Sequence, residues 1–389
     1  MTAPRPTVQH VLQAAHMPPA THPHVLKVCH QLMQCRTPQN GYHLYRCANA
    51  ECAALKYQYH SCHNRHCPQC GAFQKDAWME ARRLELLPIT YYHVVFTLPH
   101  QLHSLILGNR KELLGLLFDA ASQTLLTFAH DPQYLGATPG IVAVLHSWGQ
   151  QLSFHPHLHC IVSGGGIQQQ QDALQWVQAT KNDWRFLFPV KALNKVFRAK
   201  YLTGIKRLAA QGRLAVPPNL GLQPLIDDLF QTNWVVYAKA PFGGPEQVIE
   251  YLGRYTHKVA ISNHRLQHID TLQHTVTFRY KDYAQNGAQK TMTLPIDEFA
   301  RRFTQHILPA YFTKIRSYGY LANRYRSTRI NTIITAMQLP AHPAPVKIPW
   351  QLRLMAQYGI HPLQCPVCRQ HTLKLIAQSF AGCNHPPPT

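Results

Sequence analysis

The stretch that decides the fold is residues 154–162, FHPHLHCIV, closed by three glycines at 164–166. Its residues alternate with the two-residue period of a β-strand. His157 and His159 therefore share one face, and the apolar residues that alternate with them face the opposite way, into apolar packing. Two imidazoles on a rigid strand form half of a site for a borderline or hard divalent metal ion. A third ligand and a nucleophile must come from elsewhere in the chain.

The length and composition of the chain bound the protein class. Its 389 residues predict two or three domains, and 46% hydrophobic residues are enough for real cores. The sequence contains no run of about 18 apolar residues that would span a membrane, and its first residues lack the apolar core of a secretory signal. We therefore expect a cytosolic protein with reduced cysteines, in which close cysteine pairs are more often zinc ligands than disulfides.

The charge of the chain points to a polyanionic partner. Lysine and arginine number 38 against 17 acidic residues, which gives a formal net charge of +21. Nucleic acid is the simplest partner for such a charge. An anionic membrane surface is the alternative, but the sequence has neither a lipidation motif nor a strongly amphipathic terminal helix to support it.

Cysteines cluster near the N-terminus. Two pairs, separated by a hairpin-length insert, can present four thiolates in the tetrahedral geometry of a structural zinc ribbon. The predicted ligands are Cys47, Cys52, Cys67 and Cys70. The residues left over, which could form a second site or replace one of these ligands, are Cys35, Cys62, His63 and His66.

A further cysteine pair lies near the C-terminus. Cys365 and Cys368 have zinc-knuckle spacing and follow a proline-rich segment at 340–349, which we interpret as a linker. A lone pair of this kind is a weak signal, because a zinc site requires four ligands. The candidates for the remaining ligands are His371, Cys383 and His385.

Residues 245–258 predict a helix that carries two tyrosines. Pro245 suits the first turn of a helix, and Tyr251 and Tyr255 lie one turn apart on the same face. Two tyrosines at this spacing are more often core residues than catalytic ones. The cations that accompany them would be unusual in a buried stripe and suit a surface that faces phosphate. These are Arg254, His257 and Lys258.

Other segments predict the sheet and helices around these motifs. A strand over 140–146 runs toward the histidine strand and is expected to be its antiparallel neighbour. Asn286-Gly287 predicts a hairpin turn between strands at 275–283 and 290–294. A helix over 193–210 carries a basic face, which is commonly just solvated but here could contact phosphate. We take Arg198 on this helix and Arg65 in the cysteine cluster as candidate DNA contacts.

A two-histidine metal site, paired tyrosines and a basic chain fit one reaction. Mg²⁺ or Mn²⁺ would bind an oxygen of the scissile phosphate and neutralise developing charge. A tyrosine hydroxyl would attack and the sugar 3′-oxygen would leave, joining the protein to the DNA 5′ end. Resealing needs no nucleotide hydrolysis, and the sequence has no phosphate-binding loop motif.

These motifs resemble those of a known family, the rolling-circle insertion-sequence transposases of the HUH, two-tyrosine class, which carry an N-terminal zinc-binding domain. Four stretches carry the resemblance, in the family order. They are SCHNRHCPQC at 61–70, LHSWGQ at 145–150 running into HPHLH at 155–159, YLGRY at 251–255, and ILP at 307–309 through IRSYG at 315–319.

The resemblance implies an α+β fold in which an HUH-endonuclease-like antiparallel sheet with packed helices follows a small zinc-ribbon domain. The expected parts are an N-terminal helical segment at 1–36, the zinc-binding domain at 37–86, the catalytic domain at 87–320, and a C-terminal helix, linker and zinc knuckle at 321–389.

The resemblance also implies roles for particular residues. His157 and His159 bind the catalytic metal, and Tyr251 and Tyr255 are nucleophiles acting on single-stranded DNA at element ends. The motif does not fix the third metal ligand, for which Gln247, Glu250 and His257 are candidates, with a slight preference for His257.

The family also suggests where such a protein works. A cytoplasmic, nucleoid-associated bacterial location is expected, and the absence of a motor favours recruitment of a host helicase.

Three other functions were compared with this one. A replication initiator or conjugative relaxase uses the same chemistry, but the zinc ribbon and missing helicase motifs favour the transposase. A metal hydrolase would need more carboxylate or histidine ligands than this acid-poor chain offers. A non-catalytic zinc-ribbon DNA-binding protein would bind single-stranded DNA without forming a covalent product.

Overall fold

The structure is a computed structural model that describes residues 5–171, 173–179, 187–239, 242–256, 259–341 and 348–380. Within these ranges only the backbone is described at 72–74, 77 and 254–256. In the described residues, no helix is both long enough and apolar enough to cross a membrane.

Within the described residues, antiparallel pairing joins the strands into three sheets. The strands are β1 Gly41–Cys47, β2 Leu55–Tyr59, β3 Tyr91–Thr97, β4 Thr138–Trp148, β5 Phe154–Gln170, β6 Ala173–Gln178, β7 Val235–Lys239, β8 Leu266–Asp270, β9 Thr275–Asp282, β10 Ala288–Pro295, β11 Ile315–Gly319 and β12 Leu373–Phe380.

Helices cover the sheets and connect them. They are α1 Val8–Ala14, α2 Pro23–Met33, α3 Ala72–Arg83, α4 His103–Gly108, α5 Arg110–His130, α6 Val190–Ala210, α7 Leu222–Gln231, α8 Pro245–Thr256, α9 Ile296–Thr304, α10 Arg326–Ala336 and α11 Trp350–Tyr358.

The central sheet has the strand order β11-β4-β5-β3-β7, and β6 pairs with the far end of β5. Because side chains alternate along β5, its two faces belong to different cores. Leu158, Cys160 and Val162 pack against α5 and α6 in the largest apolar cluster. Ile161 lies on the opposite face, in the cluster that includes α8 and α10. The sheet therefore separates a helical core from the face that carries the histidines.

The other strands form two smaller, three-stranded sheets. β10-β9-β8 packs with α9 and with the N-terminal helices α1 and α2 in a core of its own. β12-β1-β2 joins the strand nearest the C-terminus to the first strand of the chain. The expected fold class, α+β with antiparallel sheets and packed helices, is confirmed.

Candidate active site

Three histidines meet on one face of the central sheet. His157 and His159 come from β5 and His146 from β4, and one ligand nitrogen from each lies within 4.8 Å of the others. The ring centroids of His146 and His159 are 4.7 Å apart, and those of His157 and His159 are 4.9 Å apart. The predicted sharing of a face by His157 and His159 follows from the regular register of β5 with its neighbours.

The hairpin between β4 and β5 creates this grouping. His146 lies directly opposite His157 in the antiparallel register, and cross-strand partners project from the same face of a sheet. The five-residue connection is closed by hydrogen bonds from the Gly149 amide to the Ser153 carbonyl, 2.9 Å, and from the Leu152 amide to the Gly149 carbonyl, 3.2 Å. The third histidine is therefore positioned by the same local pairing as the first two.

His146 occupies the place for which the sequence suggested other ligands. Glu250 is not part of the histidine group, and the Gln247 amide oxygen instead accepts a hydrogen bond from the Gly243 amide, 2.8 Å, before α8. His257, the preferred candidate, lies outside the described residues. The signal for His146 was present, because the strand over 140–146 was expected to pair with the histidine strand and His146 ends it.

The donor set fits a divalent metal ion. His157 Nδ1 lies 2.7 Å from the His155 carbonyl. Since a carbonyl can only accept, Nδ1 carries the proton and Nε2 has the lone pair that a metal needs. Most metal-binding histidines are oriented in this way, by a hydrogen bond from the ring nitrogen that does not bind the metal. The residues able to hold the ion are His146, His157 and His159.

Tyr251 reaches the edge of this group from α8. Its hydroxyl lies 2.7 Å from His93 Nε2 and 2.9 Å from His159 Nδ1, and these two nitrogens are 3.0 Å apart. Val248 and Leu252 anchor the helix in the apolar core of this face. The tyrosine hydroxyl is thus held next to a metal-ligand candidate by a packed helix.

His93 also lies at this site, next to Tyr251 and His159, and was not predicted from the sequence. It lies on β3 and is 2% exposed. Burial, with smaller contributions from Lys239 and His157, lowers the pKa of His93 to about 3. A neutral imidazole offers one acceptor nitrogen, which suits it to the hydrogen of the Tyr251 hydroxyl. His93 could have been suspected from its place in a predicted strand, but its sheet neighbours were not readable from the sequence.

The remaining predicted residues of the tyrosine helix are only partly described. Tyr255 and Arg254 lie on α8, as predicted, but their side chains are outside the described part of the structure. His257 and Lys258 lie outside it altogether. Their roles stay predictions.

A cleft of about 480 Å³ opens from the histidines. Its walls carry two cations, Arg265 and Lys281, one carboxylate, Asp282, and three large aromatic rings, Trp148, Tyr280 and Tyr283. Such a combination of positive charge and aromatic faces suits a polyanion with exposed bases.

The predicted grouping of Cys47, Cys52, Cys67 and Cys70 in one zinc ribbon is wrong, because these four cysteines divide between two clusters. Cys67 and Cys70 group with Cys35 and Cys62, two of the residues left over in the sequence analysis. The Sγ atoms of Cys35 and Cys67 are 3.6 Å apart, and those of Cys62 and Cys70 are 3.7 Å apart. This set of four thiols fits a structural zinc ion.

Cys47 and Cys52, the other two predicted ligands, group instead with the C-terminal pair. The predicted grouping joined the cysteine pairs that are nearest along the chain. The pairing of β1 with a strand more than 300 residues later is not visible in any local pattern.

His66 and the two candidate DNA arginines have structural partners. His66 Nε2 accepts a hydrogen bond from the Leu308 amide, 3.3 Å, and His66 does not belong to either cysteine cluster of the described residues. Arg65 donates to the carbonyls of Pro309 and Phe312. Arg198 donates to the Thr232 carbonyl, 3.2 Å, from α6, on the face of the central sheet opposite the histidines.

The chain was compared with known protein families. Residues 140–329 match the family described as "Putative transposase", and residues 7–98 match the family described as "Transposase zinc-binding domain". The first match contains the three histidines and Tyr251, and the second contains the cluster of Cys35, Cys62, Cys67 and Cys70.

Two curated relatives match most of the chain. "Putative transposase y4qJ" of Sinorhizobium fredii (strain NBRC 101917 / NGR234) is 41% identical over 364 residues, which cover 91% of this chain and 89% of the relative. "Transposase for insertion sequence element IS801" of Pseudomonas savastanoi pv. phaseolicola is 30% identical over 349 residues, covering 87% and 80%. Among solved structures, the conjugative relaxase TrwC in complex with oriT DNA, in its metal-free form, is 14% identical, with a TM-score of 0.23, over 41% of this chain and 70% of that chain. So low a TM-score adds nothing to the fold described above.

Proposed function

Because the chain belongs to the IS91/IS801 family of transposases, we propose that it cuts and rejoins single-stranded DNA with Tyr251 as a nucleophile. The Tyr251 oxygen forms a bond to the scissile phosphorus, the bond from phosphorus to the 3′-oxygen breaks, and the protein stays linked to the 5′ end. The observation that carries this proposal is the Tyr251 hydroxyl, held 2.7 Å from His93 and 2.9 Å from His159 at the edge of the three-histidine group.

The covalent link conserves the energy of the broken bond. A phenol has a reference pKa of about 10, so tyrosinate leaves phosphorus more readily than a sugar alkoxide does. The 3′-hydroxyl of another strand can therefore attack the phosphotyrosine, reseal the DNA and release Tyr251. This agrees with a chain that has no phosphate-binding loop.

His93 is the group best placed to receive the tyrosine proton. It is neutral, buried and in hydrogen-bond reach of the hydroxyl, which is the geometric requirement for a general base. As the Tyr251 oxygen attacks, its proton moves to His93 Nε2, and the departing 3′-oxygen takes a proton from water. In the resealing direction, His93 returns the proton to the tyrosine oxygen.

The three histidines would hold the catalytic metal ion. When bound, the ion supplies positive charge against the phosphate oxygens and orients the phosphate. Imidazole ligands favour a transition metal such as Mn²⁺ over Mg²⁺, which prefers oxygen donors. We therefore expect Mn²⁺ to support activity at lower concentrations than Mg²⁺.

The cleft beside the histidines supports a single-stranded substrate. Lys281 can contact the DNA backbone, and Trp148 and Tyr283 offer faces on which unpaired bases stack. Bases inside a duplex already stack on each other and cannot use such faces. A DNA-acting protein of this kind is expected at the nucleoid.

Tyr255 is the second nucleophile in this proposal. It follows Tyr251 by one turn of α8. Two tyrosines permit two successive strand transfers, because one can hold a DNA end while the other cuts the next strand.

A denaturing-gel assay tests the proposal. The purified chain is mixed with Mn²⁺ and a single-stranded oligonucleotide from the element end, and Tyr251→Phe, Tyr255→Phe and the double variant are compared with the parent. We expect a detergent-resistant protein–DNA adduct that is lost in the double variant. Tyr134→Phe is the matched control, because Tyr134 packs against the core on the opposite side of the central sheet.

The outcomes separate the competing functions. DNA binding without an adduct would favour the non-catalytic DNA-binding protein. Cleavage without an adduct would favour a metal hydrolase. Adduct formation on a plasmid origin, but not on element ends, would favour a replication initiator or relaxase.

A further inference from the structure

Two cysteine pairs from opposite ends of the chain meet at one point. Cys47 and Cys52 flank the turn that follows β1, and Cys365 and Cys368 lie just before β12. The four Sγ atoms all lie within 4.8 Å of one another. More than 300 residues separate the two pairs along the chain.

The sulfur spacing fits a tetrahedral metal ion and not a disulfide. Cys47 Sγ is 3.6 Å from Cys368 Sγ, and Cys52 Sγ is 3.7 Å from Cys365 Sγ. Four sulfurs at ~2.3 Å from a central zinc ion are about 3.8 Å apart in a tetrahedron. A disulfide would require a separation of about 2.05 Å.

The backbone around the cysteines holds them in this arrangement. Cys47 is paired with Leu373 in the β1–β12 register. The Ala48 amide donates to the Thr372 carbonyl, 2.9 Å, and the Thr372 hydroxyl lies 3.1 Å from Cys47 Sγ. A hydroxyl so placed can donate to a thiolate, as outer-shell groups do at metal sites.

Both cysteine turns share an uncommon backbone conformation. The residue directly after the second cysteine has a positive φ in each pair, 41° at Ala53 and 61° at Arg369. The Cys365 amide donates to the Gln370 carbonyl, 2.8 Å, and the Arg369 amide to the Cys365 carbonyl, 3.0 Å. A non-glycine residue in this conformation is uncommon and is retained where the surroundings demand it.

The apolar core at this point is too small to hold the strands by itself. Its buried members are Cys47, Cys365 and Leu373. Outside it, β12 exposes Leu375 and Phe380 to solvent. Small modules with so little core are usually stabilised by a metal ion or disulfides.

We propose that Cys47, Cys52, Cys365 and Cys368 bind a second Zn²⁺, which fastens the C-terminal strand β12 to the N-terminal zinc-binding region. This site differs from the cluster of Cys35, Cys62, Cys67 and Cys70 and does not depend on the proposed function. It replaces the self-contained tail knuckle expected from the sequence. By closing a loop of over 300 residues, the ion restricts the unfolded chain more than a local knuckle would.

Metal analysis of the purified full-length chain tests the site. We expect two zinc ions per chain and no iron, and one zinc ion in Cys47→Ser and in Cys368→Ser. Cys368→His should retain two, since histidine also ligates zinc. Cys383→Ser is the matched control, because the four thiols of the site are complete without it.

Hydrogen exchange distinguishes loss of this second zinc ion from general misfolding. In Cys47→Ser and Cys368→Ser, the β12 amides should lose protection, while those of β4 and β5 keep it. One zinc ion in the parent, or two in Cys47→Ser and in Cys368→Ser, would overturn the proposal. So would loss of zinc from Cys383→Ser, which would indicate a tail knuckle, or iron in place of zinc.

Discussion

The hydrogen bond between Tyr251 and His93 is the smallest feature on which the proposed chemistry depends. Both His93 Nε2 and His159 Nδ1 lie within 3 Å of the hydroxyl. The two have different surroundings, because His159 belongs to the group that fits a metal ion and His93 does not. A metal-bound imidazole is a poor proton acceptor, so His93 is the one left to take the proton.

His93→Gln tests this role. We expect single-turnover DNA cleavage to slow by roughly 10²-fold, the lower end of the usual contribution of a general base, because an imidazole with a pKa of about 3 is a weak base. DNA affinity should change little. In the parent, the rate should vary little between pH 6 and 8, because the pKa of His93 is about 3. The variant's rate should rise with pH, since a phenol without a base must ionise first. Identical pH–rate profiles for the parent and His93→Gln would rule out this role, and His130→Gln, an exposed histidine, is the control.

His146→Ala tests the third metal ligand. His146 is one of three imidazoles in the group. Its removal should weaken Mn²⁺ binding by ~10-fold or more, because even the loss of a residue that only hydrogen-bonds to a metal ligand typically costs that much. Isothermal titration calorimetry on the parent, His146→Ala and His130→Ala measures this. Equal Mn²⁺ affinity in His146→Ala and the parent would remove His146 from the site.

Single residues were predictable from the sequence where their pattern is local. The alternation of apolar residues with His157 and His159 fixes their shared face without any knowledge of the rest of the fold. His93 depends on which strand lies beside β5 and in which register, and that information is not local. This is why the sequence predicted two candidate metal ligands but not the residue beside the proposed nucleophile.

The hairpin of β4 and β5 is the element that assembles the site. His306 braces it, with Nδ1 3.3 Å from the Ser147 hydroxyl and Nε2 3.1 Å from the Leu152 carbonyl. His306 is 2% exposed. Burial lowers the pKa of His306 to about 4.

The stability of the protein should therefore depend on this histidine in acid. The unfolded chain takes up a proton near pH 6.5, whereas native His306 stays neutral until about pH 4. Stability is thus complete above pH 6.5 and is lost as the pH falls toward 4, by about 3 kcal/mol for this group. Urea unfolding at pH 7 and pH 4.5 should show a smaller difference for His306→Gln than for the parent. A difference as large as the parent's would contradict this, and His268→Gln, exposed on β8, is the control.

Elements were predictable when their signal was contained in one segment. The β9–β10 hairpin was predicted from Asn286-Gly287, and both residues have the positive φ that such a turn requires, 52° and 78°. The α8 helix likewise begins at Pro245, as predicted. β12 was missed because its eight residues carry little pattern and its partner β1 is distant in sequence. The same distance explains why the cysteine pairs were assigned to the wrong partners.

The net charge of +21 dominates the molecule as a whole. Positive charge gives affinity for DNA that falls with salt. Not all of the cations can contribute to the same binding site. Lys281 lines the cleft beside the histidines, whereas Lys195 lies on α6, on the opposite face of the central sheet.

Lys281→Gln should reduce the salt dependence of single-stranded DNA binding. Loss of one phosphate contact lowers the slope of log K against log[salt] by about 0.7. Lys195→Gln is the matched control and should leave the slope unchanged. Binding titrations between roughly 50 and 300 mM salt, a range over which the Debye length shortens, measure the slopes of both variants. A change in the slope with Lys195→Gln alone would move the DNA path to the basic face of α6 and support the predicted role of Arg198.

Mass-spectrometric mapping of the trapped protein–DNA adduct tests whether Tyr251 is the nucleophile. Trypsin cuts after Arg254, so Tyr251 and Tyr255 fall in different peptides. The account predicts a nucleotide remnant joined through phosphate to Tyr251 in the parent, with an additional fraction on Tyr255 once a second strand is transferred. A remnant on any other residue, or none on either tyrosine while the DNA is cut, would contradict it.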